Sequence, residues 1–94
     1  MADKHKFGGK ISKEEFDVYI NRFQTKNPKG TKSVRFHRAT FERILANKEV
    51  FDIKIFQAED PDGTSTLVLA GVDIDDNILE VTLENRGGPC PPYC

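Results

Sequence analysis

The stretch TLVLAGV, residues 66–72, is the feature that most constrains how this chain can fold. Successive side chains of an extended strand point to opposite faces, and here both faces are apolar. Such a strand needs a cover on each side, as a central strand of a sheet has. The sequence therefore predicts that residues 66–72 lie in the middle of a sheet, with one or both helices packed on a face.

Two more strand-like stretches lie on either side of this one. VFDIKIFQ (50–57) precedes it and ILEVTLE (78–84) follows it. The intervening DPDG (60–63) is strong turn chemistry, because proline presets one backbone torsion and glycine accepts a positive φ. DIDDN (73–77) provides the second turn. We therefore expect an antiparallel meander of three strands with residues 66–72 at its centre.

The clearest helix signal begins at Ser12. Ser12 and Glu15 have the spacing of a capping box, in which each side chain can bond the backbone amide of the other residue. Ile11 and Phe16 are spaced as a hydrophobic staple. Apolar side chains then recur at helical spacing, namely Phe16, Tyr19, Ile20 and Phe23. The helix is predicted to stop at Asn27, since the proline that follows disfavours the helical conformation there.

A second helix is predicted at residues 39–48, ATFERILANK, with Phe41, Ile44 and Leu45 on one face. SVRFH (33–37) alternates polar and apolar residues and is a candidate fourth strand. The predicted class is therefore α+β, with two helices packed on an antiparallel meander of three or four strands.

A chain of 94 residues has room for one domain with a modest core. We expect a flexible N-terminus at 1–10, a single domain at 11–85 and a flexible tail rich in Gly, Pro and Cys at 86–94. The composition, 37% hydrophobic and 31% charged, is that of a globular protein. No apolar run approaches the roughly 18 residues of a membrane span, and the start lacks the apolar run of a signal peptide. These features favour a cytoplasmic protein without membrane contact.

Charge is unevenly divided along the chain. Residues 1–48 hold twelve basic and five acidic residues, and residues 49–94 hold two basic and ten acidic residues, which gives formal charges of +7 and −8. Such halves usually face each other or form mixed surface, but they can also mark a nucleic-acid-binding half. The basic side chains for that alternative are Lys26, Lys29, Lys32, Arg35 and Arg38. They could neutralise phosphates while Phe36 stacks on a base.

The only two cysteines, Cys90 and Cys94, lie in the tail RGGPCPPYC. Gly87 and Gly88 predict a flexible joint, and the prolines favour an extended, exposed strip. Because a cytoplasmic location keeps thiols reduced, we expect both thiols to be displayed to a partner. The alternatives are an exposed tail without chemistry, a thiol pair for disulfide or metal exchange, a thiolate for haem iron, and a precursor peptide. In the last case the folded part is a leader and the double glycine marks the cut.

From SVRFH through LVLAGVDIDDN to PCPPYC, the chain resembles a group of small bacterial proteins without an assigned function. The resemblance covers roughly the last two-thirds of the chain, and the Cys-Pro-Pro-x-Cys ending is its most specific element. It implies a shared small fold with a cysteine tail. It implies no activity, cofactor or partner, so no functional residue is carried over from it.

Several residues match parts of known metal sites without completing one. Ligand positions of a calcium loop are matched by Asp73, Asp75, Asn77 and Glu84, but Ile78 stands where that loop needs glycine. A zinc set of the two cysteines with His5 and His37 lacks the paired spacing of zinc knuckles. We find no catalytic constellation and no phosphate-binding loop. The sequence thus predicts no metal, no cofactor and no catalytic residue, and favours a small non-catalytic interaction module with a protein partner.

Overall fold

The computed structural model describes residues 7–94 of the chain. Two helices and four strands follow in the order α1 (Lys13–Lys26), β1 (Ser33–Arg35), α2 (Arg38–Leu45), β2 (Asp52–Glu59), β3 (Ser65–Val72) and β4 (Gly88–Cys90), with a short 3-10 turn at Glu80–Thr82. The strands form two antiparallel sheets of two strands each, β2 with β3 and β1 with β4. The predicted α+β class is confirmed, but the expected single meander is wrong.

The β2–β3 hairpin is the part of the sheet that the sequence predicted. Its pairing runs from Asp52 opposite Val72 to Glu59 opposite Ser65. At the turn, the Asp60 amide donates to the Thr64 carbonyl at 2.8 Å, and Gly63 has φ +89°. Glycine tolerates that conformation without steric cost, so the DPDG sequence closes the hairpin as expected.

The expected third strand at residues 78–84 is interrupted. It pairs with β3 at two isolated bridges, Val72 with Ile78 and Leu69 with Glu84. These bridges lie three residues apart on β3 but six apart on the outer segment, and the three extra residues form the 3-10 turn. Inside it, the Thr82 hydroxyl accepts from the Gly71 amide at 2.8 Å and donates to the Leu79 carbonyl at 2.6 Å. A side chain thus replaces a backbone acceptor, which allows the strand to bulge without leaving a buried donor unpaired.

The core forms where α2 crosses β3. Its completely or almost completely buried side chains are Ile44, Leu69, Ala70 and Val72. Gly71 permits this approach, because a Cβ atom there would lie 2.7 Å from the Val50 Cγ2 atom and 3.2 Å from the Ile44 Cγ2 atom. Residues 66–72 form a strand as predicted, buried at 66 and at 69–72 and half-buried at 67 and 68, but this strand is not the middle of a three-stranded sheet.

Helix α1 begins after Ser12 and contains the predicted capping box. The Ser12 hydroxyl accepts from the Glu15 amide at 3.0 Å, and the Ser12 amide donates to the Glu15 carboxylate at 3.3 Å. None of the helix's fourteen residues is buried, however. The expectation that both helices pack on one sheet therefore holds for α2 and not for α1.

The remaining element bounds differ from expectation by a few residues. Helix α2 ends at Leu45 rather than at residue 48, because the Asn47 carboxamide oxygen accepts from the Glu49 amide at 2.9 Å and forms a turn instead. Strand β1 is shorter than the predicted 33–37. Of the expected N-terminal segment 1–10, residues 1–6 lie outside the described part and residues 7–10 contain no helix or strand. No helix within residues 7–94 has the length and apolar character that a membrane span requires.

Candidate functional site

The tail, residues 86–94, docks on β1. Strand β4 pairs Arg35 with Gly88, and the Lys32 amide donates to the Cys90 carbonyl at 2.8 Å. A disulfide joins Cys90 to Cys94, and only 6% of Cys90 is exposed. The structure therefore differs from the expected display of two exposed thiols, because strand pairing and the disulfide hold this stretch against the domain.

The two glycines of the tail serve close packing. A Cβ atom on Gly87 would lie 2.3 Å from the Val34 Cγ1 atom and 2.7 Å from the ring of Phe36, well inside any real contact. A Cβ atom on Gly88 would meet the side chain of Tyr93 at 3.3 Å. The sequence suggested a flexible joint here, since glycine signals freedom and close approach equally well. The structure shows the second use.

The docked tail lies beside one of the predicted basic residues. The Arg35 guanidinium donates to the Cys94 carbonyl at 3.4 Å, so two candidates that are far apart in sequence become neighbours. Lys29, Lys32 and Arg38 are exposed, and their side chains form no hydrogen bond or ion pair with another described residue. Of the five basic residues, Lys32 lines one cavity and Arg35 lines another, and Lys26, Lys29 and Arg38 line neither. A binding role for them and for the two cysteines stays a prediction.

Phe36, the candidate for base stacking, takes part in packing instead. Its ring lies edge-on to Phe41 with the centroids 6.3 Å apart, and it lies against Gly87. Edge-to-face contact is a favourable arrangement for buried aromatic rings. Phe36 is half-buried and joins α2 to the tail, as its alternation with Val34 suggested.

An uncovered apolar surface runs along α1. We call Phe16, Tyr19, Ile20 and Phe23 the helix stripe. These side chains are each between 39% and 53% exposed. Tyr19, Ile20 and Phe23 of the stripe line an open cleft of about 540 Å³ between α1, residues 30–34 and the turn end of the β2–β3 hairpin, which we call the helix cleft. The opposite wall offers mostly small or polar side chains such as Gly30, Thr31 and Ser65, so residues 7–94 provide little that fills the cleft.

A second uncovered apolar surface lies on β2. Among the described residues this strand pairs on one side only, with β3. Ile55 is 57% exposed on one face of the strand, Phe56 is 40% exposed on the other face, and Phe51, just before the strand, is 43% exposed. Acidic side chains flank them, namely Asp52, Glu59, Asp60 and Asp62. An unpaired edge with apolar side chains is a common route to association between chains.

Sequence reasoning missed the charged contact that ties α2 to the bulged segment. Arg43 donates to both carboxylate oxygens of Glu84, at 3.1 and 2.9 Å. The hydrogen bond from Arg43 lowers the pKa of the Glu84 carboxyl below its ordinary value. The two residues are 41 positions apart, so no local pattern indicates the pair.

The acidic turn caps itself. The Asp73 carboxylate accepts from the amides of Asp75 and Asn77 at 2.9 and 2.8 Å, and these bonds, the Asn77 amide first, lower the pKa of Asp73. Glu84, which matched the last ligand position of a calcium loop, forms an ion pair with Arg43 instead. Residues 7–94 contain no group of three or more His, Cys, Asp or Glu side chains placed to share a metal ion. The zinc alternative includes His5, which lies outside the described residues.

Comparisons of the chain with protein families, with curated proteins and with solved structures found no match. The resemblance carried by the Cys-Pro-Pro-x-Cys ending therefore stays a prediction. What the chain can bind has to be argued from its own surfaces.

Proposed function

We propose that this chain is a non-catalytic protein-interaction module, and that the partner bound by α1 is a second copy of the chain. The observation that supports it most strongly is the helix stripe, which is large, apolar and uncovered. A lone helix of fourteen residues is marginal in water, since most helical stability in proteins comes from packing of an apolar face. The capping box contributes only about 1 kcal/mol. Helix α1 therefore gains stability from any partner that covers the stripe.

The accessible surface area of the chain is larger than that of a compact monomer, which supports a partner that covers part of it. The chain exposes 7792 Å², whereas a compact monomer of this length exposes roughly 5,500 Å². Six residues lie outside the described part, and about 1,000 Å² is the most they can contribute by the same scaling. Roughly 1,300 Å² of excess surface remains, which exceeds the ~800 Å² that each partner buries in a standard interface.

A second copy offers a surface that fits this description. Lys32 lines the helix cleft, and Lys26 and Lys29 are next in sequence to lining residues Asn27 and Gly30. Strand β2 presents Ile55 on one face and Phe56 on the other, with Asp52 and Glu59 at its two ends. Apolar side chains can therefore meet apolar side chains while opposite charges meet at the rim, the arrangement that steers association and sets its register.

Each chain carries both surfaces, so the contact can be made twice. In a two-fold dimer the helix stripe of each copy covers β2 of the other, and the same patch is used on both subunits. The opposite charges of the two halves, +7 and −8, favour this antiparallel exchange.

The experiment measures the molar mass by sedimentation or light scattering over a range of protein concentrations. We expect a dimer that Phe23→Glu converts to a monomer, because the variant places a charge in the middle of the stripe. The matched control is Val81→Glu, which changes a side chain that is 86% exposed and outside both surfaces; it should leave the dimer intact. Raising the salt concentration should weaken the dimer, since the rim charges are screened.

Two results would overturn the proposal. One is a wild-type chain that stays monomeric up to high concentration. The other is a Phe23→Glu variant that dimerises as well as the Val81→Glu control while circular dichroism shows that the fold is retained. A monomer that binds a different protein through the helix stripe would support the interaction module but contradict the proposal that its partner is a second copy.

A further inference from the structure

A second cavity lies where the tail docks, next to Arg35 at the end of β1. We call it the tail pocket. It has a volume of about 660 Å³ and lies between two separate stretches of chain, residues 35–40 and 86–94. This size is in the range of pockets that hold small organic ligands. The tail pocket shares no lining residue with the helix cleft, so the inference drawn from it is independent of self-association.

The charged side chains that line the tail pocket have one sign. Its basic lining side chains are Arg35, His37 and Arg86, and no Asp or Glu side chain lines it. Arg35 uses one of its five N–H donors on the main-chain oxygen of Cys94. The Arg86 guanidinium forms no hydrogen bond or ion pair with any other residue of the described part. Two guanidinium groups with unused donors suit the planar, bidentate recognition of a phosphate or carboxylate.

Arg86 also holds an unusual backbone conformation. Its φ is +66°, in the left-handed region that favours glycine. The chain has glycine at the next two positions and yet has arginine here. Residues with a strained backbone conformation cluster at ligand sites. Together with its unpaired guanidinium group, this conformation makes Arg86 a candidate ligand-binding residue.

Two aromatic rings contribute to the walls. Tyr93 is 62% exposed, and its position is held by the bond from its amide to the Pro89 carbonyl at 2.8 Å and by the Cys90–Cys94 disulfide next to it. Phe36 is half-buried on the other side. An exposed tyrosine ring beside arginines is the combination that stacks a planar base while the phosphate is neutralised.

We propose that the tail pocket binds a phosphate ester that carries a planar base, with Arg35 and Arg86 on the phosphate and Tyr93 against the base. A free mononucleotide and a single-stranded nucleic acid share this chemistry. The Cys90–Cys94 disulfide acts in positioning, because the wall formed by Pro92 and Tyr93 lies inside the ring that it closes.

The test is titration of the full chain with AMP, followed by NMR shifts and by calorimetry. We expect saturable shifts confined to residues 35–40 and 86–94. Adenosine and inorganic phosphate each carry half of the recognised chemistry, so each should bind at least tenfold more weakly. An oligothymidylate of ten nucleotides separates the two sources: tighter binding than AMP with a steep dependence on salt assigns the site to nucleic acid, and equal or weaker binding assigns it to a free nucleotide.

Arg86→Gly separates binding from folding. Glycine relieves the positive φ, so the variant should keep or raise the thermal midpoint, yet it should weaken AMP binding about tenfold or more, since it removes charged hydrogen bonds. Arg38→Ala is the matched control, because Arg38 is exposed nearby but does not line the pocket. Replacing both cysteines by serine should weaken binding by releasing the Tyr93 wall. The proposal is overturned if AMP causes no shifts at these residues, or if Arg38→Ala weakens binding as much as Arg86→Gly does.

Discussion

The two helices of this protein have opposite relations to its core. Helix α1 is fourteen residues long, has a complete capping box and buries none of its side chains. Helix α2 has eight residues and no side-chain cap, yet it buries Thr40 and Ile44. Local sequence signals therefore report whether a helix forms, and they do not report whether it packs.

The difference has its origin in what each helix faces. Helix α2 lies over Gly71, where the missing side chain admits Ile44 and Val50 to the backbone of β3. Helix α1 faces a cleft whose other wall is small and polar. Close packing needs complementary shapes on both sides, and within residues 7–94 such a counterpart exists for α2 and not for α1. In our proposal a second copy supplies the counterpart for α1.

The difference in packing between the two helices is tested by shortening one side chain in each helix. Ile44→Ala leaves a cavity in the core and should lower the free energy of unfolding by about 2–4 kcal/mol. Ile20→Ala, the matched change in α1, should cost less than about 1 kcal/mol, because its side chain is 39% exposed. Urea unfolding at low protein concentration measures both. Equal costs would mean that α1 is packed as well as α2 is.

The docking of the tail is tested by Gly87→Ala. The new Cβ atom would overlap Val34 and Phe36, and overpacking of this kind costs roughly 1–3 kcal/mol. We expect the tail to separate from β1, so the Lys32 amide, which donates to Cys90, should exchange faster with solvent. Gly9→Ala is the control, because no atom lies within 4 Å of its added Cβ. Unchanged exchange in Gly87→Ala would show that the tail is not docked through this contact.

A smaller effect is expected at the start of α1. Ser12→Ala removes the capping bond to the Glu15 amide and should cost about 1 kcal/mol of local helix stability. Because α1 buries nothing, the loss should be seen in amide exchange of the first turn and not in the global unfolding of the β2–β3 hairpin. Ser12→Asn retains a capping oxygen and should behave like the wild type. An equal drop in the free energy of global unfolding would show that α1 unfolds together with the core.

The smallest effect is the response to acid. The pKa of Glu84 is held below its ordinary value of 4.5 by the hydrogen bond from Arg43, so this pair stabilises the fold above that pH. The contribution is lost as the pH falls through the lowered pKa of the folded state. Asp73 adds a loss of the same sign below its ordinary value of 3.8. Unfolding curves between about pH 6 and pH 3 should show a modest decline that Glu84→Gln reduces and Glu80→Gln does not. If stability declines equally in both variants as the pH falls, Glu84 is not the cause of the decline.

The parts of the fold that could be predicted depend on neighbours in sequence. The capping box joins residues three apart, and the hairpin turn needs a proline and a glycine within four positions. These signals act through backbone torsions and hydrogen bonds that form whatever the rest of the chain does. The apolar run at 66–72 likewise predicted a buried strand, because no exposed element tolerates it. For the same reason the α+β class and the helix stripe were accessible to sequence reasoning.

The arrangement of the candidate sites depended on contacts between distant residues. Arg43 meets Glu84 across 41 positions, and Arg35 meets Cys94 across 59. The docked tail follows from the fit of Gly87 against Val34 and Phe36, and the bulge at residues 80–82 follows from the bond between Thr82 and Gly71. By itself the sequence determined which local elements form, because short-range torsions and capping bonds suffice for that. The tertiary structure alone decided which surfaces are covered and which stay open, because that depends on whether two shapes made by distant segments are complementary.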